Sequence, residues 1–390
     1  MPYPRVTSGG PAGFHQRSAC RRRLVLLTLL GVILLTVSAC SRGAVAIERG
    51  WSAPVVEEGL VYVGSRDGVF LVIPSDEISP FRPLELDDED LIDSLIKWRF
   101  PLGEDTSLGA IYSHALVTED RVYAVLNRDD DGEETGNLYA LDKEDGAEAW
   151  FVETEGRIFG DPILQAGVLY VADEEGIVYA FGLEDGRVRW QNLVSEQRFW
   201  STPTLVDGTL YIGGMDKRLY AMDAGNGDVQ WSFEAGGAIT SKPMVIGDVI
   251  YVGAFDRKFY AIDRNTGEER WVADGDSWFW NDAVASEDGA TVYVGSLGST
   301  FYALDAGNGS ELWSFDTGAP VRAAPVIVNT RVYVLSEKGR VVGLDLETGA
   351  VRNRAITLEA KVLASPVWAE GRLYIHDEKQ NLHVIEAPLK

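Results

Sequence analysis

The sequence predicts an all-β fold, an eight-bladed β-propeller whose blades are four-stranded antiparallel sheets. Tryptophans recur at intervals of 40–42 residues, a period typical of propeller repeats, at Trp150, Trp190, Trp231, Trp271 and Trp313. Tyrosine stands at the centre of eight apolar triplets, at Tyr62, Tyr123, Tyr170, Tyr211, Tyr251, Tyr293, Tyr333 and Tyr374. The 41 glycines add frequent turns between these apolar runs.

Each repeat unit contains three alternating apolar runs, separated by Gly or Asp turns, and a fourth short run that carries the tryptophan. One four-stranded sheet cannot bury both of its faces, but neighbouring sheets stacked around an axis can do so. A helical pattern appears only in the amino-terminal segment and across Asp87–Ile96. The predicted core therefore lies between blades.

The predicted propeller spans residues 51–390, and its eight units begin near Trp51, Tyr112, Phe159, Trp200, Thr240, Trp280, Arg322 and Leu363. The last unit stops without a fourth strand, and we expect Ala44–Glu48 to supply this strand and close the ring. Seven blades with an irregular end are the alternative. Two insertions, 74–97 and 127–137, interrupt the pattern, and because loops often carry function both are candidate partner contacts.

The amino terminus predicts export and lipid anchoring. Arg21–Arg23 precede an apolar run over Leu24–Val37, and small residues lead to Cys40. This order is typical of a secretory signal and is too short for a comfortable membrane span. The last four residues resemble a bacterial lipobox, so residues 1–39 are predicted as a lipoprotein signal peptide and residues 40–50 as the lipidated amino terminus and closing strand. An uncleaved anchor and twin-arginine export are the alternatives to a general secretory signal.

Charge and reactive side chains limit the classes of function. The formal net charge of −25 would repel nucleic acid, so no nucleic-acid partner is expected. Both cysteines, Cys20 and Cys40, precede the repeats, which excludes a disulfide or thiolate site in the folded body. No nucleophile stands in a recognisable context with a base, and the sequence predicts a non-catalytic monomer that is tethered only through lipid at Cys40.

Aligning the first strands of the units identifies a candidate binding rim. One position is aromatic in five of the eight units. If it lies at the mouth of the central channel, it could bind a peptide or a flat ligand; packing between blades is the alternative. The rim residues are Trp51, Tyr112, Phe159, Trp200, Trp280 and Arg322. Two residues later the aligned position is mostly polar and includes His114, Asp161, Lys242 and Asp282.

The second insertion contains a weak match to a calcium-binding loop. Asn127, Asp129 and Asp131 alternate before Gly132, as oxygen ligands do at the start of such a loop. Position twelve, where a bidentate Glu is required, is Leu138. A solvated acidic hairpin therefore explains the pattern better, and no metal is predicted.

The repeat contains the pattern Ala221, Asp223, Gly227 and Trp231, with related copies in the neighbouring units. It resembles the tryptophan-docking motif of the PQQ-binding-like β-propeller superfamily, also called quinoprotein-type repeats. The resemblance covers nearly all of residues 50–390. It implies that the tryptophans fill the gaps between blades, at Trp98, Trp150, Trp190, Trp231, Trp271 and Trp313.

Two branches of this superfamily suggest different functions. Quinoprotein dehydrogenases hold pyrroloquinoline quinone and calcium at the channel mouth, but no segment here matches their catalytic residues. The lipid anchor and the length resemble the BamB outer-membrane protein assembly lipoproteins. This resemblance implies a non-catalytic scaffold without a cofactor, which binds a protein partner in the cell envelope and faces the periplasm or cell exterior. A quinone-binding redox protein and a ligand- or glycan-binding sensor are the alternatives.

Overall fold

The structure is a computed structural model that describes residues 52–386 apart from 67, 102–108, 131–132 and 354, and no side chains of 129–130 and 133–134. The signal peptide, Cys40, Trp51 and the closing strand expected from 44–48 lie outside the described residues. Within them, the strands form eight four-stranded antiparallel sheets, which confirms the eight-bladed β-propeller.

In blades one to seven the strands follow one another outward from the axis in chain order, whereas the fourth strand of blade eight comes from an earlier part of the chain. The innermost strands of blades one to eight are Val55–Glu57, Leu116–Val117, Ile163–Gln165, Thr204–Val206, Met244–Ile246, Val284–Ala285, Val326–Val328 and Val367–Ala369. The second strands are Leu60–Gly64, Arg121–Asp130, Val168–Ala172, Thr209–Gly213, Val249–Gly253, Thr291–Gly295, Arg331–Leu335 and Arg372–His376.

The outer two strands complete each blade. The third strands are Phe70–Pro74, Glu133–Asp142, Ile177–Gly182, Arg218–Asp223, Lys258–Asp263, Thr300–Asp305, Arg340–Asp345 and Asn381–Glu386. The fourth strands are Trp98–Phe100, Glu148–Thr154, Val188–Leu193, Val229–Glu234, Glu269–Asp274, Glu311–Asp316, Ile356–Thr357 and, in blade eight, Leu84–Glu85. The insertion at 127–137 lengthens the hairpin of blade two, where both paired strands contain ten residues.

The first insertion contains the described helices. A 3₁₀ turn covers Ser75–Glu77, and an α-helix covers Glu89–Leu95, inside the predicted range. Asp88 caps the α-helix, because its carboxylate accepts a hydrogen bond from the N–H of Leu91 at 3.0 Å. Acidic residues in the first turn also complement the positive end of the helix dipole.

Blade eight is completed by the first insertion and not by residues 44–48. Leu84 pairs with Leu382 and Glu85 with Asn381, and the N–H of Leu86 donates to the carbonyl of Gln380 at 2.8 Å. Leu84 and Leu86 are buried against the apolar side chains of blades one and eight. The prediction that 44–48 forms the fourth strand of blade eight is therefore wrong, because residues 84–86, with two buried leucines, occupy this position.

The core lies between the blades. Among the described residues, eight apolar clusters each combine residues from two neighbouring blades, and one of them joins blades one and eight. Second and third strands supply most of the buried side chains. The ring is therefore held by nearest-neighbour contacts, as in other repeat proteins.

The docking tryptophans pack onto glycines of the next blade. Trp231, for example, lies over Gly267, whose φ of +73° places it in the left-handed region. A Cβ atom on any of the six glycines would lie 2.4–2.7 Å from the indole Cε3, which only glycine avoids. The glycine and tryptophan pairs are Gly146 with Trp98, Gly186 with Trp150, Gly227 with Trp190, Gly267 with Trp231, Gly309 with Trp271 and Gly349 with Trp313.

A shared carbonyl links the tryptophan to the repeated tyrosine. The carbonyl oxygen of Ala306 accepts the indole N–H of Trp271 at 3.0 Å and the hydroxyl of Tyr251 at 2.9 Å. The carbonyls of Ala224 and Leu346 accept the corresponding groups of their neighbours. Because a carbonyl oxygen has two lone pairs, one acceptor satisfies both buried donors. In three blades, therefore, the repeated tyrosine and tryptophan bind the same atom of the next blade.

Candidate binding site at the channel mouth

The described rim residues line one cavity at the propeller axis. Each of them precedes the innermost strand of its blade. Because neighbouring strands are antiparallel, the start of this strand lies at the same end of the blade as the turn between the second and third strands. We call this the mouth end, and the opposite one the turn end. The cavity has a volume of about 110 Å³ and is lined by residues that include Tyr112, Phe159, Trp200, Trp280 and Arg322.

The rim side chains contact one another around the mouth. Ring centroids lie 5.0 Å apart for Tyr112 and Phe159, 5.8 Å for Phe159 and Trp200, and 5.9 Å for Trp200 and Trp280. The guanidinium of Arg322 lies over Trp280, 4.8 Å from its centroid, in a cation–π contact. These residues thus both pack between blades and line the cavity.

Two further aromatic residues extend the rim toward the surface. Phe255 stacks on Trp278 at 4.9 Å and on Trp280 at 5.4 Å, with interplanar angles of 7° and 24°. Trp278 is 42% exposed. Sequence reasoning missed both, because Phe255 lies in a turn and Trp278 in a connection between blades. The consecutive aromatic residues 278–280 were the available signal.

The polar layer below the rim joins adjacent blades. The N–H of His114 donates to Asp161 Oδ1 at 2.7 Å, and the N–H of Asp161 donates to Thr202 Oγ1 at 2.9 Å. In the same way the N–H of Lys242 donates to Asp282 Oδ1 at 2.6 Å. A side chain of one blade therefore satisfies a backbone donor of the blade before it, which explains why this position is polar.

His114 and Asp161 also form an ion pair, with Nδ1 3.0 Å from Oδ1. Burial lowers the pKa of His114, but the charge of Asp161 and its hydrogen bond outweigh this effect and raise the pKa overall. Burial raises the pKa of Asp161, and the interactions with His114 reverse this and lower it. At Asp282 burial prevails, and the pKa of its carboxyl is raised.

The raised pKa of His114 predicts a pH-dependent contribution to stability. A histidine whose pKa is higher in the folded state stabilises the fold below its unfolded pKa, near 6.5, and loses this contribution as pH rises through the folded value. We expect the difference in free energy of unfolding between the native chain and His114→Gln to fall between pH 6 and pH 9. The fall should be less than about 1 kcal/mol, since the pair is partly exposed. Urea unfolding at several pH values measures this difference. A difference that grows with pH would contradict the raised pKa of His114.

The candidate metal ligands do not form a site in the described residues. Asn127 is buried, and its amide makes two hydrogen bonds to Ile158 of blade three, accepting from the N–H at 2.8 Å and donating to the carbonyl at 2.9 Å. Leu138, at position twelve, packs in the core. The side chain of Asp129 and all of Asp131 lie outside the description. Among the described residues, no group of three His, Cys, Asp or Glu side chains could hold a metal ion.

Eleven buried side-chain polar atoms of the described residues have no hydrogen-bond partner, and three of them lie at the mouth. Trp200 Nε1, Arg322 Nε and Asn281 Oδ1 are buried and have no hydrogen-bond partner among the described residues, and all three residues line the cavity. An unsatisfied buried group costs about 1–3 kcal/mol. A molecule bound in the cavity would supply the missing hydrogen-bond partners and so account for these groups.

Comparison with known proteins identifies related sequences and folds. A family model described as outer membrane protein assembly factor BamB matches residues 96–203, 195–278 and 275–388. No curated protein sequence matches significantly. In the described part of the chain, no helix is long and apolar enough to span a membrane.

Solved structures share the fold. BamB from Moraxella catarrhalis is 19% identical with a TM-score of 0.66, over 85% of this chain and 92% of that one. The computationally designed Ika8 protein is 15% identical with a TM-score of 0.69, over 87% and 97%. Quinohemoprotein alcohol dehydrogenase ADHIIG from Pseudomonas putida HK5 is 16% identical with a TM-score of 0.65, over 84% and 70%.

The mouth does not fit the quinone cofactor of the dehydrogenase branch. A cavity of about 110 Å³ is well below the ~300–1,000 Å³ of typical cofactor and ligand pockets. Trp200 and Trp280, from blades four and six, contact each other in its lining. Asp161 and Asp282, its two carboxylates, each accept a backbone hydrogen bond from the preceding blade.

Proposed function

The chain belongs to the family described as outer membrane protein assembly factor BamB, and we propose that it takes part in outer-membrane protein assembly as a non-catalytic, protein-binding scaffold. The family match over residues 96–388 carries this proposal. The geometry supports it, because the polar residues of the axis are used to join blades and leave no nucleophile beside a free base. The mouth end presents the aromatic surface that a partner would contact.

The proposal includes export and anchoring through lipid at Cys40. The basic head, apolar run and small residues before this cysteine support it. Lipid on one cysteine would hold the propeller at a membrane without any spanning segment. The scaffold would then face the periplasm or the cell exterior as a monomer.

Site-specific photo-cross-linking in cells tests the scaffold and its docking face. A cross-linking amino acid replaces Trp278 at the mouth end or, as the control, Leu312 on the outer strand of blade six; their exposed fractions are similar, 42% and 52%. We expect the Trp278 probe to capture a β-barrel assembly protein from the envelope and the Leu312 probe to capture little. Recovery of electron-transfer proteins alone, or of no partner at either position, would contradict the proposed function. Cys40→Ser should release the protein from the membrane fraction.

A quinone-binding redox protein is the alternative with another chemistry. The likeness to the alcohol dehydrogenase supports only a shared fold at 16% identity. Adding the quinone with calcium to purified protein and recording absorbance and dye-linked dehydrogenase activity separates the two functions. A scaffold gives neither signal.

A further inference from the structure

Arg322 is a cation without a counterion at the channel mouth. Several other arginines are paired with carboxylates, for example Arg264 with Asp207 at 3.0 Å and Arg352 with Asp345 at 2.9 Å. Within the described residues no acidic side chain lies within ion-pair distance of Arg322, and its guanidinium rests on the face of Trp280. A planar guanidinium held in this way presents its donor edge in a fixed direction.

The neighbouring side chains favour an acceptor at this point. Trp200, in contact with Trp280, has a buried indole N–H without an acceptor in the described part of the chain. Neither carboxylate of the layer below forms an ion pair with Arg322: Asp161 is paired with His114, and Asp282 accepts a hydrogen bond from the backbone N–H of Lys242. The mouth therefore offers unsatisfied donors and one uncompensated positive charge.

The overall acidity of the protein is concentrated away from the mouth. The turns between first and second strands contain eight acidic and no basic residues, and the short turns between third and fourth strands of blades two to six contain six acidic and three basic ones. All of these turns lie at the turn end. The described turns between second and third strands, at the mouth end, contain eight acidic and five basic residues, so an anion meets less repulsion at this end than at the turn end.

The size of the cavity and its aromatic border define the ligand. About 110 Å³ corresponds to three or four water molecules at ~30 Å³ each, so the cavity admits the tip of a side chain or chain end and not a whole cofactor. The stack of Trp280, Phe255 and Trp278 leads from the cavity to the surface and gives the body of a longer ligand an apolar contact. Guanidinium binds carboxylate through two parallel hydrogen bonds.

We propose that Arg322, stacked on Trp280 beside Trp200, recognises a carboxylate presented by a partner polypeptide, either an Asp or Glu side chain or a chain terminus. This recognition rests on the proposed scaffold function, whose partner it describes chemically. The body of the partner lies along the aromatic stack, and its carboxylate replaces water in the cavity.

The test is a peptide titration followed by NMR on the full chain labelled with ¹⁵N. The probes are acetyl-Gly-Glu-Gly-amide, acetyl-Gly-Gly-Gly with a free carboxyl end, and the neutral acetyl-Gly-Gln-Gly-amide. We expect the indole signal of Trp200 and the Nε signal of Arg322 to shift saturably with one of the two anionic peptides and not with the neutral one. Which anionic peptide binds distinguishes a side chain from a terminus.

Variants identify the guanidinium as the cause. Arg322→Gln should weaken binding at least tenfold, and Arg322→Lys should give an intermediate loss because it keeps the charge without the planar fork. Arg218→Gln, at an exposed arginine paired with Glu234, should bind like the native chain. Unfolding curves establish that each variant is folded.

Three results would overturn the carboxylate site: equal shifts with the neutral peptide, no shift with either anionic peptide, or unchanged binding by Arg322→Gln. Each leaves the cross-linking result at Trp278 unaffected, so failure of this site is distinguishable from failure of the scaffold function. Conversely, a positive titration without a captured partner would contradict the scaffold and retain the site.

Discussion

Replacing Gly267 by alanine is expected to lower the free energy of unfolding by about 2–5 kcal/mol. The new Cβ atom would lie 2.6 Å from Cε3 of Trp231, so either the indole or the turn has to move, and such overpacking costs about 1–3 kcal/mol. The φ of +73° adds about 1–2 kcal/mol for any residue with a Cβ. Urea unfolding followed by tryptophan fluorescence measures the change.

Gly208 provides the matched control for this substitution. Its φ is +78°, close to that of Gly267, but a Cβ placed on it would meet no atom within 4 Å. Gly208→Ala should therefore cost only the backbone contribution of about 1–2 kcal/mol. The difference between the two variants isolates the contact with Trp231. If both variants lose the same free energy of unfolding, the indole moves aside without cost, and the contact with Trp231 does not contribute to stability.

The sequence allowed the repeat to be predicted because its tyrosines and tryptophans take equivalent positions in successive blades. Tyr251 and Trp271 recur with their neighbours because both donate to the same carbonyl, that of Ala306. The rim could be located in the same way, since the residues before successive innermost strands must meet at the axis of a closed ring. Alignment places residues at the mouth; it does not show which of their polar atoms lack a partner.

The parts that could not be predicted lie where the repeat is interrupted. Leu84–Glu85 is a strand of two residues inside an insertion, and two residues are too few to show the alternation of apolar and polar side chains that indicates a strand. Its position is fixed by burial of Leu84 against blades one and eight, a contact between segments about 300 residues apart. Phe255 and Trp278 likewise meet only because two loops of adjacent blades converge.

Asn127 shows how one pattern can suggest the wrong chemistry. Alternating oxygen-bearing side chains before a glycine are typical of calcium loops, and also of a hairpin strand whose alternate residues face one side. In the long hairpin of blade two Asn127 is paired with Gly136 and Asn137 with Leu126, and both asparagines are buried. The direction of the strand, which sequence spacing does not show, turns the amide of Asn127 toward Ile158.

We therefore expect Asn127→Ala to destabilise the propeller by about 2–5 kcal/mol, independently of calcium. Removing the amide leaves both the N–H and the carbonyl of Ile158 buried without these partners, at about 1–3 kcal/mol for each group. Asn192→Ala is the control with a smaller expected effect. The Asn192 amide is only partly buried and makes one interblade hydrogen bond, to the carbonyl of Gly227 at 2.8 Å. We expect this variant to lose about 1 kcal/mol of free energy of unfolding. Urea unfolding with added calcium or with chelator separates the two roles of Asn127. A calcium-dependent gain in the native chain that disappears in Asn127→Ala would establish a metal ligand, whereas an equal loss in both conditions means that Asn127 joins blades two and three.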